Sequence, residues 1–170
     1  MPLSRAERRT EVHTRTLDLH VYHREDDLFD IEGRLVDVKP ITVEFHNSHR
    51  SAGEPVHDLR LRLTINRQLV VQSAEAKMDV GAYPYCSGVE PAFGALEGLR
   101  IGPGWNRRVR ERVGGALGCT HLVEMLSQMA TTALQAVWSV DEGDQENAED
   151  PADRELRDEM IDSCYTYRSN

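Results

Sequence analysis

The stretch from Thr120 to Val140 constrains the fold more than any other feature of this sequence, because its apolar side chains recur at the spacing of one helical face. Polar side chains such as Glu124 and Gln135 occupy the other positions. A helix with one apolar face must bury that face against a second element, and a sheet is the only partner of sufficient size that the sequence offers. The apolar stripe consists of Leu122, Met125, Leu126, Met129, Ala130, Ala133, Leu134 and Val137.

The first half of the chain alternates between apolar and polar residues, which predicts strands with one buried face. Gly33 interrupts one of these runs and is predicted to form a bulge, and Pro40 ends it. A short helix from Arg107 to Val113 is predicted between two glycine-containing loops. The pattern therefore predicts an α+β fold, with an antiparallel sheet of about five or six strands packed on one long helix. The predicted strands cover roughly residues 17–21, 29–38, 41–45, 59–65 and 68–78.

Charge divides the chain into a body and a tail. Of the net charge of −9, all but one unit lies beyond Val140, and the body is nearly neutral. No basic face for phosphates is apparent, so nucleic-acid binding is not expected. The length of 170 residues fits one domain. We predict a charged arm (1–12), a single α+β domain (13–140), an acidic connector (141–153) and a C-terminal segment that docks on the domain (154–170).

The sequence favours a cytoplasmic protein that does not enter a membrane. Its basic N-terminal residues are not followed by the apolar run of a secretory signal, and no apolar stretch is long enough for a membrane span. Cys86, Cys119 and Cys164 are widely spaced and odd in number, so we expect reduced thiols. Self-association is left open.

Two histidines are the first candidates for chemistry. His57 falls on the same strand face as Leu59, so it is either a core histidine with a satisfied ring or a site residue. His121 lies in the segment Gly118–Leu122, at the predicted start of the long helix, where unpaired N–H groups bind anions. The alternative there is that Thr120 caps the helix, Cys119 packs and His121 is a surface residue.

Aromatic residues on loops are the second group of candidates. Tyr83, Tyr85 and Trp105 either line a pocket for an aromatic ligand or plug the edge of the sheet. We predict that they converge with His57, Thr120 and His121 around one cavity at the helix N-terminus. Metal-ligand residue types also occur, but their spacing matches no familiar motif, so no metal and no other cofactor are predicted. Those residue types are found at Cys119, His121, His57 and Cys86.

Several motifs together resemble a bacterial family known mainly as a domain of unknown function. They are DIEGRLVDVKP, VHDLRLRLTI, PYC, GPGW and above all GCTHLVEML. The resemblance covers about residues 14–140 and recurs weakly at Asp162-Ser163-Cys164. Members of the family tend to carry a histidine directly after that cysteine, whereas this chain has Tyr165. No role of that histidine is therefore carried over to this chain.

The resemblance implies an activity, since some members look like lyases that act on lignin-derived aromatic dimers. They remove a hydroxymethyl carbon as formaldehyde and leave a stilbene. The resemblance thus implies a cofactor-independent carbon–carbon lyase with a small aromatic substrate, and the alternative is a non-catalytic module that binds a small ligand or a protein. For the lyase, the base is His57 or His121 and the acid is Tyr83 or Tyr85. The residues expected to contact substrate are Trp105, Cys119, Thr120 and Cys86.

Overall fold

The computed structural model describes residues 4–46, 48–143, 165, 168 and 169, and it is an α+β fold. Its strands are β1 (Thr14–His23), β2 (Phe29–Val38), β3 (Val43–Phe45), β4 (Ser48–Arg50), β5 (Pro55–Ile65) and β6 (Val71–Val80). Its α-helices are α1 (Trp105–Val113) and α2 (Thr120–Gly143), with 3₁₀ segments at Cys86–Leu96 and Gly115–Leu117. The rest of the predicted acidic connector, and the C-terminal segment apart from residues 165, 168 and 169, lie outside the described residues.

The main sheet has four antiparallel strands in the order β1-β2-β5-β6. The prediction of five or six strands in a single sheet was wrong. The described residues form six strands, but β3 and β4 pair with each other as a separate two-stranded sheet. Pro40 follows the end of β2, and proline cannot donate to a strand ladder. The chain therefore leaves the sheet after Val38, forms the β3–β4 hairpin, and re-enters the sheet as β5 beside β2.

The apolar stripe of α2 packs on one face of this sheet, as the helical spacing predicted. Leu122, Met125 and Leu126 are buried there. Gly33 lies beneath the helix, and a Cβ at that position would be 2.5 Å from the Met125 Sδ atom. A larger residue at position 33 would therefore force the Met125 side chain to move, and the predicted bulge lies elsewhere, between Asp37 and Val38.

Shorter helical segments complete the core beside the long helix α2. The predicted short helix is confirmed as α1, which begins two residues earlier than expected, at Trp105. The 3₁₀ segment Cys86–Leu96 packs against β6 and α1, and it buries Phe93 and Leu96. Among the described residues, no helix is both long enough and apolar enough to cross a membrane.

Candidate functional site

A buried carboxylate at the end of β2 is the centre of the candidate site. The side chain of Asp37 is 1% exposed and lies directly opposite His57 in the β2–β5 register. The Nδ1 atom of His57 is 2.9 Å from the Asp37 Oδ2 atom. Both residues project from the sheet face that packs against α2, since they continue the line of Leu35 and Leu59. The sheet register therefore builds a carboxylate–imidazole pair.

Arg15 on β1 and His13, just before β1, also contact the Asp37 carboxylate. The Arg15 Nε and Nη2 atoms donate to the two carboxylate oxygens at 2.7 and 2.8 Å. The His13 Nε2 atom lies 3.2 Å from Oδ1. Asp37 is thus bound by groups from both strands that neighbour β2. Arg15 also reaches Glu124 on α2 at 3.5 Å, so it ties the sheet to the helix.

These contacts determine the charge of Asp37. Burial is the largest influence and acts to raise the pKa of Asp37, but the hydrogen bonds from Arg15 and His57 outweigh it and hold that pKa at about 2. Asp37 is therefore ionised at neutral pH and accepts hydrogen bonds. It follows that His57 donates through Nδ1–H and, when neutral, carries its lone pair on Nε2. Within the described part of the chain, the His57 Nε2 atom has no hydrogen-bond partner.

His121 stands beside this pair at the start of α2. The ring centroids of His57 and His121 are 4.2 Å apart, and the His121 Nε2 atom is 4.0 Å from Asp37 Oδ2. Burial, followed by the charges of His57 and Arg15, lowers the pKa of His121 below its usual value of 6.5, so this ring is neutral at pH 7. Two neighbouring histidines thus differ in environment, because only His57 donates directly to the carboxylate.

The residue that caps α2 differs from the one that the sequence suggested, which was Thr120. The helix begins at Thr120, and the Cys119 carbonyl accepts the Val123 N–H at 2.9 Å, so Cys119 rather than Thr120 occupies the cap position. The Cys119 thiol is half-buried, and its Sγ atom is 3.8 Å from the His121 Nδ1 atom. Thr120 lines a cavity between α1 and α2 whose lining includes neither histidine.

The same cluster contains atoms of the types that bind metals. Ligand atoms of Asp37, His57 and His121 lie within 4.8 Å of one another. However, the oxygens of Asp37 already accept N–H groups from Arg15, His13 and His57. A cation at this point would have to displace His57 from Asp37 and would lie beside the Arg15 guanidinium. The donor set therefore fits a charge-balanced acid–base pair better than a metal centre.

The tyrosines lie at a second location. Tyr83 lines a cavity of about 540 Å³ with Arg50, Pro55 and Gly81, and neither histidine is part of that lining. Tyr83 and Tyr85 stack with centroids 5.5 Å apart. The cavity follows the end of β6 and is bordered by the β3–β4 hairpin. The two histidines instead face the start of α2.

Trp105 and Cys86 have surroundings typical of structural residues. Trp105 is 5% exposed, and its Nε1–H donates to the Leu126 carbonyl oxygen at 3.1 Å. Cys86 is a free, half-buried thiol packed against the core next to Gly81. The structure therefore brings His57, His121 and Cys119 together, and it does not gather the tyrosines, Trp105 and Thr120 around the same cavity.

Sequence reasoning missed the two residues that organise the site, Asp37 and Arg15. One signal was available: Asp37 follows Phe29, Ile31, Gly33 and Leu35 on the buried face of β2, where an ionised side chain needs partners. The identity of those partners depends on the pairing of β2 with both neighbouring strands, which no single-strand pattern specifies.

Comparison with known proteins identifies the domain but not its activity. Neither curated proteins nor solved structures give a match. Residues 13–135 match a family described as a protein of unknown function, DUF2889. The matched segment begins just before β1 and ends within α2, so it contains His13, Arg15, Asp37, His57 and His121. Because the match covers well over half of the chain, the protein belongs to the DUF2889 family.

Proposed function

We propose that the protein is a cofactor-independent carbon–carbon lyase that releases formaldehyde from a lignin-derived aromatic dimer and leaves a stilbene. The observation that carries the acid–base part of this proposal is the buried Asp37 carboxylate, which accepts the Nδ1–H of His57 at 2.9 Å. A carboxylate in this position orients the imidazole and stabilises the imidazolium that forms when Nε2 takes a proton. The aromatic substrate class rests on the motif resemblance.

The proposed reaction needs only proton transfers. A para-phenol on the substrate loses its proton, the benzylic C–O bond breaks, and a quinone methide forms. His57 then removes the proton of the primary hydroxyl, the bond to the hydroxymethyl carbon breaks, and formaldehyde leaves. The electron pair of that bond becomes the stilbene double bond and restores the aromatic ring. The proton lost by the phenol goes to the leaving benzylic oxygen, and the proton taken by His57 returns to the product phenolate, so the products balance without an oxidant or a reductant.

His121 donates a hydrogen bond to the benzylic oxygen as that oxygen leaves, while the proton that this oxygen receives is the one released by the phenol. Because the pKa of His121 is lowered, the ring is neutral at pH 7 and still carries one N–H that can be donated. The His121 ring centroid lies 4.2 Å from that of His57, so the two rings are close enough to contact adjacent oxygens of one substrate. Tyr83 and Tyr85, the acids expected for the lyase, line or adjoin the separate cavity, so we assign the hydrogen bond to the leaving oxygen to His121 instead.

The proposal also covers the location of the protein in the cell, the state of its thiols and its partners. We infer a cytoplasmic enzyme with free thiols at Cys86 and Cys119, a small aromatic molecule as its partner, and no binding to nucleic acid or membranes. Self-association is compatible with this activity and is not needed for it, since all the proposed acid–base groups come from one chain.

A panel of aromatic dimers with a hydroxymethyl side chain tests the proposal. Formaldehyde is measured directly, and the stilbene is followed by its ultraviolet absorbance. The His57→Asn variant keeps an N–H donor near the Nδ1 position but cannot act as the base, so turnover should fall by about 10²- to 10⁴-fold. The matched control is His20→Asn, because His20 is an exposed histidine on β1 of the same sheet.

The outcomes separate the two candidate functions. Loss of turnover in His57→Asn, with normal turnover in His20→Asn and similar melting temperatures, supports the lyase. Absence of formaldehyde from every dimer with the native protein refutes the lyase and leaves the non-catalytic binding module. Full turnover by His57→Asn would show that the Asp37–His57 pair is not the base.

A further inference from the structure

A cavity at the β3–β4 hairpin has the features of a second binding site, apart from the histidines. Its volume of about 540 Å³ is in the range of small-molecule sites. The hairpin contributes Ser48 and Arg50, the loop after β6 contributes Tyr83, and the start of the 3₁₀ segment Cys86–Leu96 contributes Ser87. The hairpin pairs with no strand of the main sheet, so its side chains are available to form a wall.

Tyr83 supplies the aromatic part of the cavity lining, and two rings outside the lining support it. Tyr83 and Tyr85 stack almost in parallel, with an interplanar angle of 7°, and the Phe45 ring meets Tyr83 edge-on with centroids 5.9 Å apart. Tyr83 is 37% exposed and Tyr85 is 76% exposed. A cluster of large exposed rings leaves apolar area in water that a flat ligand can cover. The rings are also preorganised, because each is supported by a neighbouring ring.

A fixed cation forms another side. The Arg50 guanidinium donates to the carbonyl oxygens of His49 at 2.8 Å and of Gly81 at 3.0 Å, which bridges the hairpin to the end of β6. Its remaining N–H groups have no partner among the described residues, and no carboxylate there forms an ion pair with it. A guanidinium held in this way presents a rigid pair of donors to an incoming carboxylate.

The acidic residues of the lining are already engaged. Glu54 accepts the Ser51 N–H at 2.7 Å, and Asp79 is paired with Arg60 at 2.8 Å. The charge of Asp79 is therefore compensated by Arg60, and the Glu54 carboxylate, although it feels the nearby charge of Arg50, accepts its hydrogen bond from the backbone and not from the Arg50 guanidinium. The Arg50 N–H groups without a partner among the described residues match a carboxylate, and the partly exposed ring of Tyr83 matches a second ring.

We propose that this cavity binds an aryl carboxylate, with the ring against Tyr83 and the carboxylate on Arg50. The proposal goes beyond the lyase activity and does not require it. Pro55 lines the cavity and lies two residues before His57 on β5, so the two sites share one strand end.

Titration calorimetry with 4-hydroxybenzoate tests the proposal, using the full chain. Two further probes separate its parts: 4-hydroxybenzyl alcohol keeps the ring without the carboxylate, and cyclohexanecarboxylate keeps the carboxylate without the aromatic ring. Arg50→Met and Tyr83→Leu should each weaken binding of 4-hydroxybenzoate by about ten-fold or more. Matched controls are Arg107→Met, an exposed arginine on α1, and Tyr22→Leu, an exposed tyrosine on β1.

Each result decides the matter. Tighter binding of the aryl acid than of both other probes, with loss in the two cavity variants and none in the controls, supports the proposal. No binding of 4-hydroxybenzoate, or equal binding of either other probe, overturns it. If Tyr83→Leu does not fold, Arg50→Met alone decides, because Arg50 belongs to the hairpin outside the main core. The His57→Asn variant should bind the acid normally, so a failure of the lyase proposal remains separate.

Discussion

Replacing Asp37 by asparagine tests the electrostatic account of the site. The substitution keeps the shape of the side chain but removes the negative charge that Arg15 and His57 share. Arg15 would then lose one of its two acceptor oxygens and its buried negative partner, and its remaining ion pair would be the exposed contact to Glu124 at 3.5 Å. His57 would lose the charged acceptor that fixes its Nδ1–H. We therefore expect Asp37→Asn to reduce both stability and turnover.

The pKa of Asp37 gives the size of the stability effect. A fall from 3.8 to about 2 on folding corresponds to about 2.5 kcal/mol of stability at neutral pH, at 1.36 kcal/mol for each unit. Because the pKa is lowered, this contribution is complete above about pH 5 and is lost as the pH falls. About half of it should remain at pH 3 and little at pH 2. The contribution comes from a side chain that is only 1% exposed, so solvent screening is small.

Urea unfolding of the native protein and of Asp37→Asn at a series of pH values measures this difference. The gap in unfolding free energy should be about 2 to 3 kcal/mol at pH 7 and should close toward pH 2. Asp18→Asn is the matched control, because Asp18 is an exposed aspartate on β1. A gap that stays constant from pH 7 to pH 2 would show that the loss comes from packing and not from charge, and the account above would be refuted.

Two further predictions concern the cofactor and the tryptophan. Dialysis against a chelator should leave turnover unchanged, because the Asp37 oxygens are occupied by N–H donors of the protein itself. A loss of turnover that zinc or iron restores would instead favour a metal centre formed by Asp37, His57 and His121. Trp105→Phe should lower the unfolding free energy by about 1 kcal/mol through loss of the hydrogen bond to the Leu126 carbonyl, with KM for the dimer unchanged; a raised KM at normal stability would place Trp105 in the substrate site.

The elements with a strong period were predictable from sequence. The stripe of α2 and the alternation of β5 each repeat over several turns or residue pairs, so α2 and the strand were identified with their buried faces. The number of strands in the sheet was not predictable, because β3 and β4 are three residues each and nothing local distinguishes a separate hairpin from an additional sheet strand. A glycine within a strand can mark either a bulge or the close approach of another element, and for Gly33 only the position of Met125 distinguishes the two.

The two histidines of the candidate site were predictable from the sequence, but the charged residues that contact them were not. His57 and His121 were chosen because each lies at the end of an element, and their rings are neighbours in the fold. The carboxylate between them belongs to β2 and the guanidinium to β1. Their approach depends on strand pairing over distances of about twenty residues along the chain, for which residue spacing gives no information.

Formation of the site is tied to formation of the sheet edge. β1 is an edge strand, yet it supplies Arg15, without which the buried carboxylate would lack its strongest donors. Asp37 in turn orients His57 on β5, and Arg15 reaches Glu124 on α2. An ionised Asp37 is therefore tolerated in the interior only when β1, β2, β5 and α2 are all in place. This explains why an element at the edge of the sheet belongs to the chemistry: the base can be oriented only after the strand that neutralises its carboxylate has docked.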